Sequence, residues 1–331
     1  PVARAQRPAT RAASAVGKLS PLASVSETRG VLRAHGLTTK YSLGQNFLIN
    51  DAILQKIVTL ADVRETDAVL EVGPGIGTLT IALLKHAASV ISVERDPDLP
   101  AVLAQTLAPW AERFALIEKD ALDLTIEDLR AARCADGAPD VSLPNKLVAN
   151  LPYAVAATVV LDYFEHFPCL ESATIMVQKE VADRMAAGPG TKNYGAYTVK
   201  LRLYAQPGGR FAVGPGNFFP PPRVESAVLR LDRCTPLDKE GRPLDAATQR
   251  AAALMAEAAF ANRRKTLANS CKTYFAGKGA EGAQAIELLP RLFEQAAIDP
   301  RRRGETLSLE EFIQLGKALL ANGGADLRPA R

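Results

Sequence analysis

Short apolar segments alternate with helical ones from residue 68 onward, and this alternation constrains the fold more than any other feature of the chain. A helix is predicted at 78–85, directly after the first strand. The predicted strands are residues 68–72, 89–93, 114–117, 146–149 and 173–177, with a closing pair at 211–213 and 227–231. Such alternation predicts an α/β fold, a parallel sheet covered by helices on both faces. Ligands bind at the carboxyl ends of these strands, so we expect one cleft there.

The pattern changes after residue 243, where helices follow one another without further strands. We therefore expect an α/β domain over residues 41–245 and a small all-helical domain over residues 246–331. The predicted helices of the second domain are 246–260, 263–275, 283–295 and 308–320, the last with Ser308 as its N-cap. Residues 1–40 are predicted to be a basic, disordered arm, because residues 1–26 contain no acid and show no helical or strand period.

Charge is distributed unevenly along the chain. Residues 1–40 contain seven Lys or Arg and one acid, residues 41–249 contain 26 acids and 20 basic residues, and residues 250–331 contain 13 basic residues and nine acids. Basic ends around an acidic centre are typical of a protein that grips a polyanion. A solvated basic surface gives the same pattern, and charge alone does not choose between the two readings. The acid-free N-terminus also resembles an organellar transit peptide.

Composition argues against a membrane protein and a metalloprotein. The longest apolar runs are far shorter than the roughly 20 residues that span a bilayer. The four cysteines include no C-x-x-C pair, and the three histidines stand alone. Structural zinc needs clustered ligands, so we expect no metal and reduced thiols.

A glycine-rich loop follows the first predicted strand and opens the first helix. Gly73, Gly75 and Gly77 allow a ligand to approach the backbone closely, and Glu94, 21 residues after Gly73, is placed to accept hydrogen bonds from a ribose diol. A dinucleotide fingerprint would require glycine where this chain has Thr78. The loop therefore favours S-adenosylmethionine, whose linker carries no pyrophosphate, although a tight turn without a ligand has the same glycines.

Two polar positions follow the third and fourth strands. Asp120, next to Ala121, is placed either to accept a hydrogen bond from the adenine amine of a cofactor or simply to cap a turn. The turn Asn150-Leu151-Pro152-Tyr153 offers two oxygen acceptors for an exocyclic amine and an aromatic face on which a base can stack. Its alternative interpretation is a plain strand-to-helix turn with a buried tyrosine.

At this point the chain resembles the small-subunit ribosomal RNA adenine N6,N6-dimethyltransferases of the KsgA type, which are relatives of the Erm resistance methylases. The resemblance covers residues 40–320 and several motifs in the family order. These motifs are SLGQNFL at 42–48, VLEVGPGIGTLT at 69–80, VANLPY at 148–153, MVQKEVADR at 176–184, FFPPPRVESAV at 218–228, FANRRKTL at 260–267 and LSLEEF at 307–312.

The resemblance implies a Rossmann-like class I S-adenosylmethionine-dependent methyltransferase domain with a small all-helical RNA-binding domain. The residues implied to bind the cofactor are Gln45, Asn46, Leu48, Gly73, Gly75, Gly77, Glu94, Asp120, Ala121 and Asn150. The residues implied in catalysis are Asn150, Leu151, Pro152, Tyr153 and Phe218, with Tyr153 and Phe218 on opposite faces of the target base. The residues expected to contact RNA phosphates are Arg263, Arg264 and Lys265, and for 301–303 a solvated linker is an equal alternative.

The implied reaction methylates two adjacent adenines in the 3′-terminal hairpin of small-subunit rRNA and releases S-adenosylhomocysteine without a metal. The implied partner is the rRNA of a pre-30S assembly intermediate, and a cytoplasmic monomer is expected, with a plastid or mitochondrion as the alternative location. An Erm-type large-subunit methylase and a noncatalytic RNA-binding factor are the competing hypotheses. One departure from the family is the sequence AVAA at 154–157 in place of the usual Asn-Ile-Ser/Thr, which removes side chains that brace the next helix.

Overall fold

A seven-stranded β-sheet forms the centre of the fold, with loops at the carboxyl ends of its parallel strands. The computed structural model describes residues 17–39, 45–132 and 142–323. The strands are β1 Phe47–Leu48, β2 Ala68–Val72, β3 Ser89–Glu94, β4 Phe114–Glu118, β5 Lys146–Asn150, β6 Ser172–Gln178, β7 Ala205–Val213, β8 Phe218–Phe219 and β9 Ser226–Arg233. The order in the large sheet is β4-β3-β2-β5-β6-β9-β7, and β1 pairs separately with β8.

Six of the seven strands of the large sheet run in the same direction, and β9 runs opposite to them. β9 runs antiparallel to β6, and β7 runs antiparallel to β9. The order reverses at β2, which lies between β3 and β5. The chain therefore continues from β2 toward one side of the sheet and from β5 toward the other, which leaves a crevice at the carboxyl ends of these two strands. Open α/β sheets bind ligands in such a crevice.

Helices cover both faces of the sheet, as predicted. Because successive side chains of a strand point to opposite faces, Val69 of β2 packs into one buried cluster and Leu70 into the other. The helices are α1 Val25–Ala34, α2 Asp51–Ala61, α3 Thr78–Leu84, α4 Leu99–Thr106, α5 Ile126–Ala131, α6 Ala156–His166, α7 Lys179–Met185 and α8 Ala196–Arg202.

Four further helices form a separate apolar core after residue 245. They are α9 Ala246–Phe260, α10 Leu267–Ala276, α11 Gly279–Gln295 and α12 Leu309–Ala321. Ser308 caps α12 through a reciprocal capping box with Glu311, as its sequence position predicts. α9 and α12 cross closely, because a Cβ at Gly316 would lie 2.6 Å from the backbone nitrogen of Ala252. Tyr194 and, in α8, Val199 also join this core, so α8 and the turn before it pack against these helices.

The prediction of a disordered arm is wrong for residues 17–39. Ser24 caps α1 by accepting a hydrogen bond from the Glu27 backbone, and Leu22 and Leu32 are buried in the core on one face of the sheet. This segment is ordered because its few apolar side chains are buried against the α/β domain, a long-range contact that its weak periodicity does not reveal. Residues 1–16 lie outside the described residues.

α10 begins four residues later than predicted. The sequence predicts a helix from residue 263, whereas Thr266 is the N-cap and Leu267 the first helical residue. The basic triplet 263–265 therefore lies in the turn before the helix. Across the described ranges, no helix combines the length and apolarity that crossing a bilayer requires.

Candidate active site

One cavity of about 330 Å³ lies at the carboxyl ends of β2, β3 and β5, with β4 contributing the residues that follow it. Its volume is in the range of small-molecule sites. All but one of the residues implied to bind the cofactor line it, and so does the whole of the turn after β5. These lining residues are Gln45, Asn46, Leu48, Gly73, Gly75, Glu94, Asp120, Ala121, Asn150, Leu151, Pro152 and Tyr153. Gly77 and Phe218 do not line it.

The glycine loop adopts backbone conformations that other residues rarely take. Gly73, Gly75 and Gly77 have φ angles of 69°, 60° and 90°. A Cβ at Gly75 would lie 3.0 Å from the aromatic ring of Phe47, so a side chain there would press on the opposite wall of the cavity. Gly77 instead shapes the start of α3 as its left-handed N-cap. Thr78 lines the cavity, and its buried hydroxyl has no hydrogen-bond partner among the described residues.

Glu94 ends β3 and is held at the cavity wall by the backbone. Its Oε1 accepts hydrogen bonds from the N–H groups of Arg95 and Asp96, at 2.9 and 2.8 Å. Burial raises the pKa of this carboxyl, and these backbone donors oppose the rise. The carboxylate is therefore fixed at the cavity wall, and its hydrogen bonds to a ribose diol stay a prediction.

Asp120 shows the capping role that its position allowed. Its Oδ1 accepts the Leu122 N–H at 3.0 Å, and Arg95 donates to its Oδ2 at 2.8 Å. The Leu122 N–H and the Arg95 guanidinium together hold the pKa of Asp120 below its usual range. Asp120 also lines the cavity, so a capping role and a hydrogen bond to an adenine amine are compatible. The adenine contact stays a prediction.

Residues 45–48, which we call the strap, line the cavity and join three parts of the site. Gln45 donates to Asp96 at 2.8 Å, and β1 of the strap pairs with β8. The Asn46 carbonyl accepts a hydrogen bond from the Asn150 side-chain nitrogen at 3.1 Å. This contact orients the Asn150 amide, and the use of its Oδ1 as the acceptor for a substrate amine stays a prediction. Asp96 is buried and is not among the residues predicted from the sequence.

Tyr153 is half-buried at the cavity, and its hydroxyl lies 2.7 Å from the Oγ of Ser226. Phe218 is only 2% exposed, packs in the core and pairs with Leu48 of the strap. Stacking of a base on Phe218 stays a prediction, and it would require this ring to become exposed. α6 starts beyond the turn without a side-chain cap, since its N-cap is Val155. This agrees with the loss of bracing side chains expected from residues 154–157.

Glu71 is a buried carboxyl beside the glycine loop that the sequence analysis did not single out. It is 1% exposed, and its Oε2 accepts hydrogen bonds from Thr80 and Ser92 at 2.7 and 2.8 Å. Burial raises its pKa to about 7, with the charge of Glu94 acting in the same direction. The only signal for it in the sequence is its position in the strand before the loop. Strands that are buried on both faces are otherwise apolar, so a carboxyl within one is unusual.

Of the three predicted RNA-contacting residues, one side chain is paired within the protein and two are exposed without a partner among the described residues. Arg263 pairs with Glu305 at 2.9 Å and donates to the Thr191 carbonyl, so it holds two loops together. Arg264 and Lys265 are exposed, and neither side chain has a hydrogen bond or ion pair within the described part of the chain. In the second basic cluster, Arg301 and Arg302 pair with Asp299 and Glu311 respectively. Three or more potential metal ligands are not grouped anywhere in residues 17–39, 45–132 or 142–323.

Comparison with solved structures defines the class of the fold. A dimethyladenosine transferase from Plasmodium falciparum superimposes with a TM-score of 0.66 at 24% identity, over 84% of this chain and 98% of that one. The 23S rRNA methyltransferase ErmE superimposes with a TM-score of 0.56 at 23% identity, over 83% and 99%. The chain has the Rossmann-like fold of class I methyltransferases, with a helical C-terminal region, and the predicted fold class is confirmed.

Comparison of sequences identifies the family. The family described as ribosomal RNA adenine dimethylase matches residues 36–315. The chain is 40% identical over 305 residues to a ribosomal RNA small subunit methyltransferase A from Mycobacterium tuberculosis, covering 91% of this chain and 88% of that protein. A protein of the same name from Enterococcus faecalis is 38% identical over 302 residues, or 91% and 97%. The chain belongs to the ribosomal RNA adenine dimethylase family, which confirms the resemblance and the enzyme class.

Proposed function

We propose that this protein transfers methyl groups to N6 of two adjacent adenines in the 3′-terminal hairpin of small-subunit (16S) rRNA, giving N6,N6-dimethyladenosine. The observation that carries the proposal is that the Asn150–Tyr153 turn faces the same cavity as the glycine loop and Glu94. The family supports the reaction, and the names of the relatives favour the small-subunit RNA over the large-subunit RNA.

The residues of the cavity fit S-adenosylmethionine as the cofactor. Gly75 leaves room between the loop and Phe47 that a Cβ would occupy. Thr78 offers an unpartnered buried hydroxyl to a polar group of the ligand, and Glu94 offers a fixed carboxylate to a ribose diol. When bound, the cofactor supplies an electrophilic methyl group on a sulfonium, and S-adenosylhomocysteine is the product. In-line displacement at that carbon uses no metal, and the proton that the methylated nitrogen then loses passes to water.

The turn after β5 activates the adenine amine. The nitrogen lone pair of an exocyclic amine is delocalised into the ring, and acceptors that bind its hydrogens aim that lone pair at the methyl carbon. The Asn150 Oδ1 and the Leu151 carbonyl are these acceptors. The strap keeps the Asn150 amide in the required orientation, since its nitrogen already donates to Asn46.

The rest of the site receives the base and the RNA. Tyr153 provides an aromatic face for an adenine that has left its helix. Exposed Arg264 and Lys265 are the proposed phosphate contacts of the helical domain. The proposal includes a monomer acting on a pre-30S intermediate in the cytoplasm. A plastid or mitochondrion is the alternative if the N-terminal residues are a transit peptide.

To test this proposal, the purified protein is incubated with labelled S-adenosylmethionine and small ribosomal subunits that lack these methyl groups. The RNA is then digested and the nucleosides are separated by mass. We expect N6,N6-dimethyladenosine at two adjacent positions. Label in large-subunit RNA alone would replace the proposed substrate, and cofactor binding without transfer to any RNA would replace the enzyme with a binding factor.

Two variants make the test specific to the proposed chemistry. Asn150→Ala removes one acceptor of the amine, and loss of one preorganised donor or acceptor lowers rates by about 10²–10³-fold in comparable sites. Asn322→Ala removes an amide at the end of α12, where it contacts Gln295, and is the matched control. Equal rates for the two variants would contradict the assigned role of Asn150.

A further inference from the structure

The segment 218–228 reaches the active site through a residue other than the one the family resemblance implies. Its Phe218 is buried in the core, whereas its Ser226 extends to the catalytic turn and contacts the Tyr153 hydroxyl. The two oxygen atoms are 2.7 Å apart, the usual distance for an O–H···O hydrogen bond. Tyr153 is therefore held at both ends, by its backbone in the turn and by its hydroxyl.

Ser226 is a rigid anchor. It is fully buried and begins β9, where it pairs with Gln178 of β6 on one side and Val213 of β7 on the other. Its backbone is held on the central strand of three, so its hydroxyl can move only by rotation about one side-chain torsion. The bond to Ser226 therefore restricts rotation of the Tyr153 ring about its two side-chain torsions.

We propose that Ser226 is a positioning residue that sets the plane of the Tyr153 ring on which the target adenine stacks. This inference rests on the proposed function. The amine must meet the methyl carbon in line, so a tilt of the stacking face displaces the nitrogen that reacts. Burial raises the pKa of Tyr153, so its hydroxyl remains protonated and able to donate at neutral pH.

The proposal predicts a specific pattern in a double-mutant cycle. Ser226→Ala and Tyr153→Phe remove the same hydrogen bond from opposite ends. A bond of ordinary strength corresponds to about a 3- to 10-fold loss in kcat/KM for small-subunit RNA. We expect each single variant to show this loss and the double variant to lose no more, while the affinity for S-adenosylmethionine stays within about twofold. Tyr194→Phe removes another buried tyrosine hydrogen bond, to the Leu307 carbonyl, and is the control that keeps wild-type kcat/KM.

A spectroscopic measurement separates positioning from general stability. An RNA hairpin with 2-aminopurine at the target adenine reports stacking, because an aromatic neighbour quenches its fluorescence. We expect Ser226→Ala and Tyr153→Phe to quench the bound probe less than the wild type does. Ser226→Thr keeps the hydroxyl, so it is expected to restore both quenching and turnover relative to Ser226→Ala.

The results that overturn this inference differ from those that overturn the proposed function. A wild-type enzyme that leaves small-subunit RNA unmethylated refutes the proposed function. If the wild type is active, losses that multiply in the double variant, or wild-type quenching in Ser226→Ala, refute only the role of Ser226. If Ser226→Ala does not fold, Tyr153→Phe decides alone, because wild-type turnover in that variant also refutes the role.

Discussion

Glu71 makes the stability of this protein depend on pH in a direction opposite to that of most carboxyls. Its side chain is buried, and burial outweighs the two hydroxyl donors to its Oε2, which favour the charged form. Its pKa rises from an ordinary 4.5 to about 7. Replacing it with glutamine keeps the shape and the acceptor oxygen but removes the titration.

The magnitude follows from linkage between protonation and folding. Below pH 4.5 both the folded and the unfolded chain hold the proton, and Glu71 adds no pH dependence. Between pH 4.5 and 7 the unfolded chain releases the proton first, so the free energy of unfolding falls as pH rises. At about 1.4 kcal/mol for each pKa unit, the full loss above pH 7 is about 3 kcal/mol.

Urea unfolding of the wild type and Glu71→Gln, without cofactor, from pH 4.5 to 8.5 tests this expectation. Other titrating groups cancel in the difference between the two proteins. We expect the wild type to lose about 3 kcal/mol relative to Glu71→Gln across this range. Glu65→Gln changes an exposed carboxyl and controls for the removal of charge. A difference that does not vary with pH would refute the buried, protonated state of Glu71.

Three further predictions concern the loop, the N-terminal helix and the basic turn. Gly75→Ala places an alanine with a left-handed backbone against Phe47 of the strap, and we expect S-adenosylmethionine to bind at least tenfold more weakly by calorimetry. Gly188→Ala, which has open space around it, is the control and is expected to bind the cofactor normally. Leu32→Ala empties a buried position, so urea unfolding is expected to show a loss of about 2–5 kcal/mol, and an unchanged midpoint would mean that α1 does not pack as described. Replacing Arg264 and Lys265 with alanine is expected to reduce the slope of log RNA affinity against log salt concentration by about 2, as measured by filter binding. An unaltered slope would exclude both residues as phosphate contacts.

The local parts of the site were predictable because their residues are close in sequence and their backbone is unusual. The positive φ angles of Gly73 and Gly75 follow from a glycine loop placed between a strand and a helix. Glu94 and Asn150 end strands that lie on either side of β2, so the carboxyl ends of parallel strands bring them to one cavity. α9 begins and ends as predicted, because its cap and its apolar positions are contiguous.

The sheet, the glycine loop, the turn after β5 and the family were readable from the amino acids, because each depends on short-range pattern. The contact of Ser226 with Tyr153, the burial of Phe218 and the pairing of Arg263 with Glu305 became visible only in the folded chain. Those residue pairs are separated by tens of positions, and strand register and loop path determine whether they touch. Burial is likewise a property of the assembled core, which explains why the pKa of Glu71 is raised and why residues 17–39 fold.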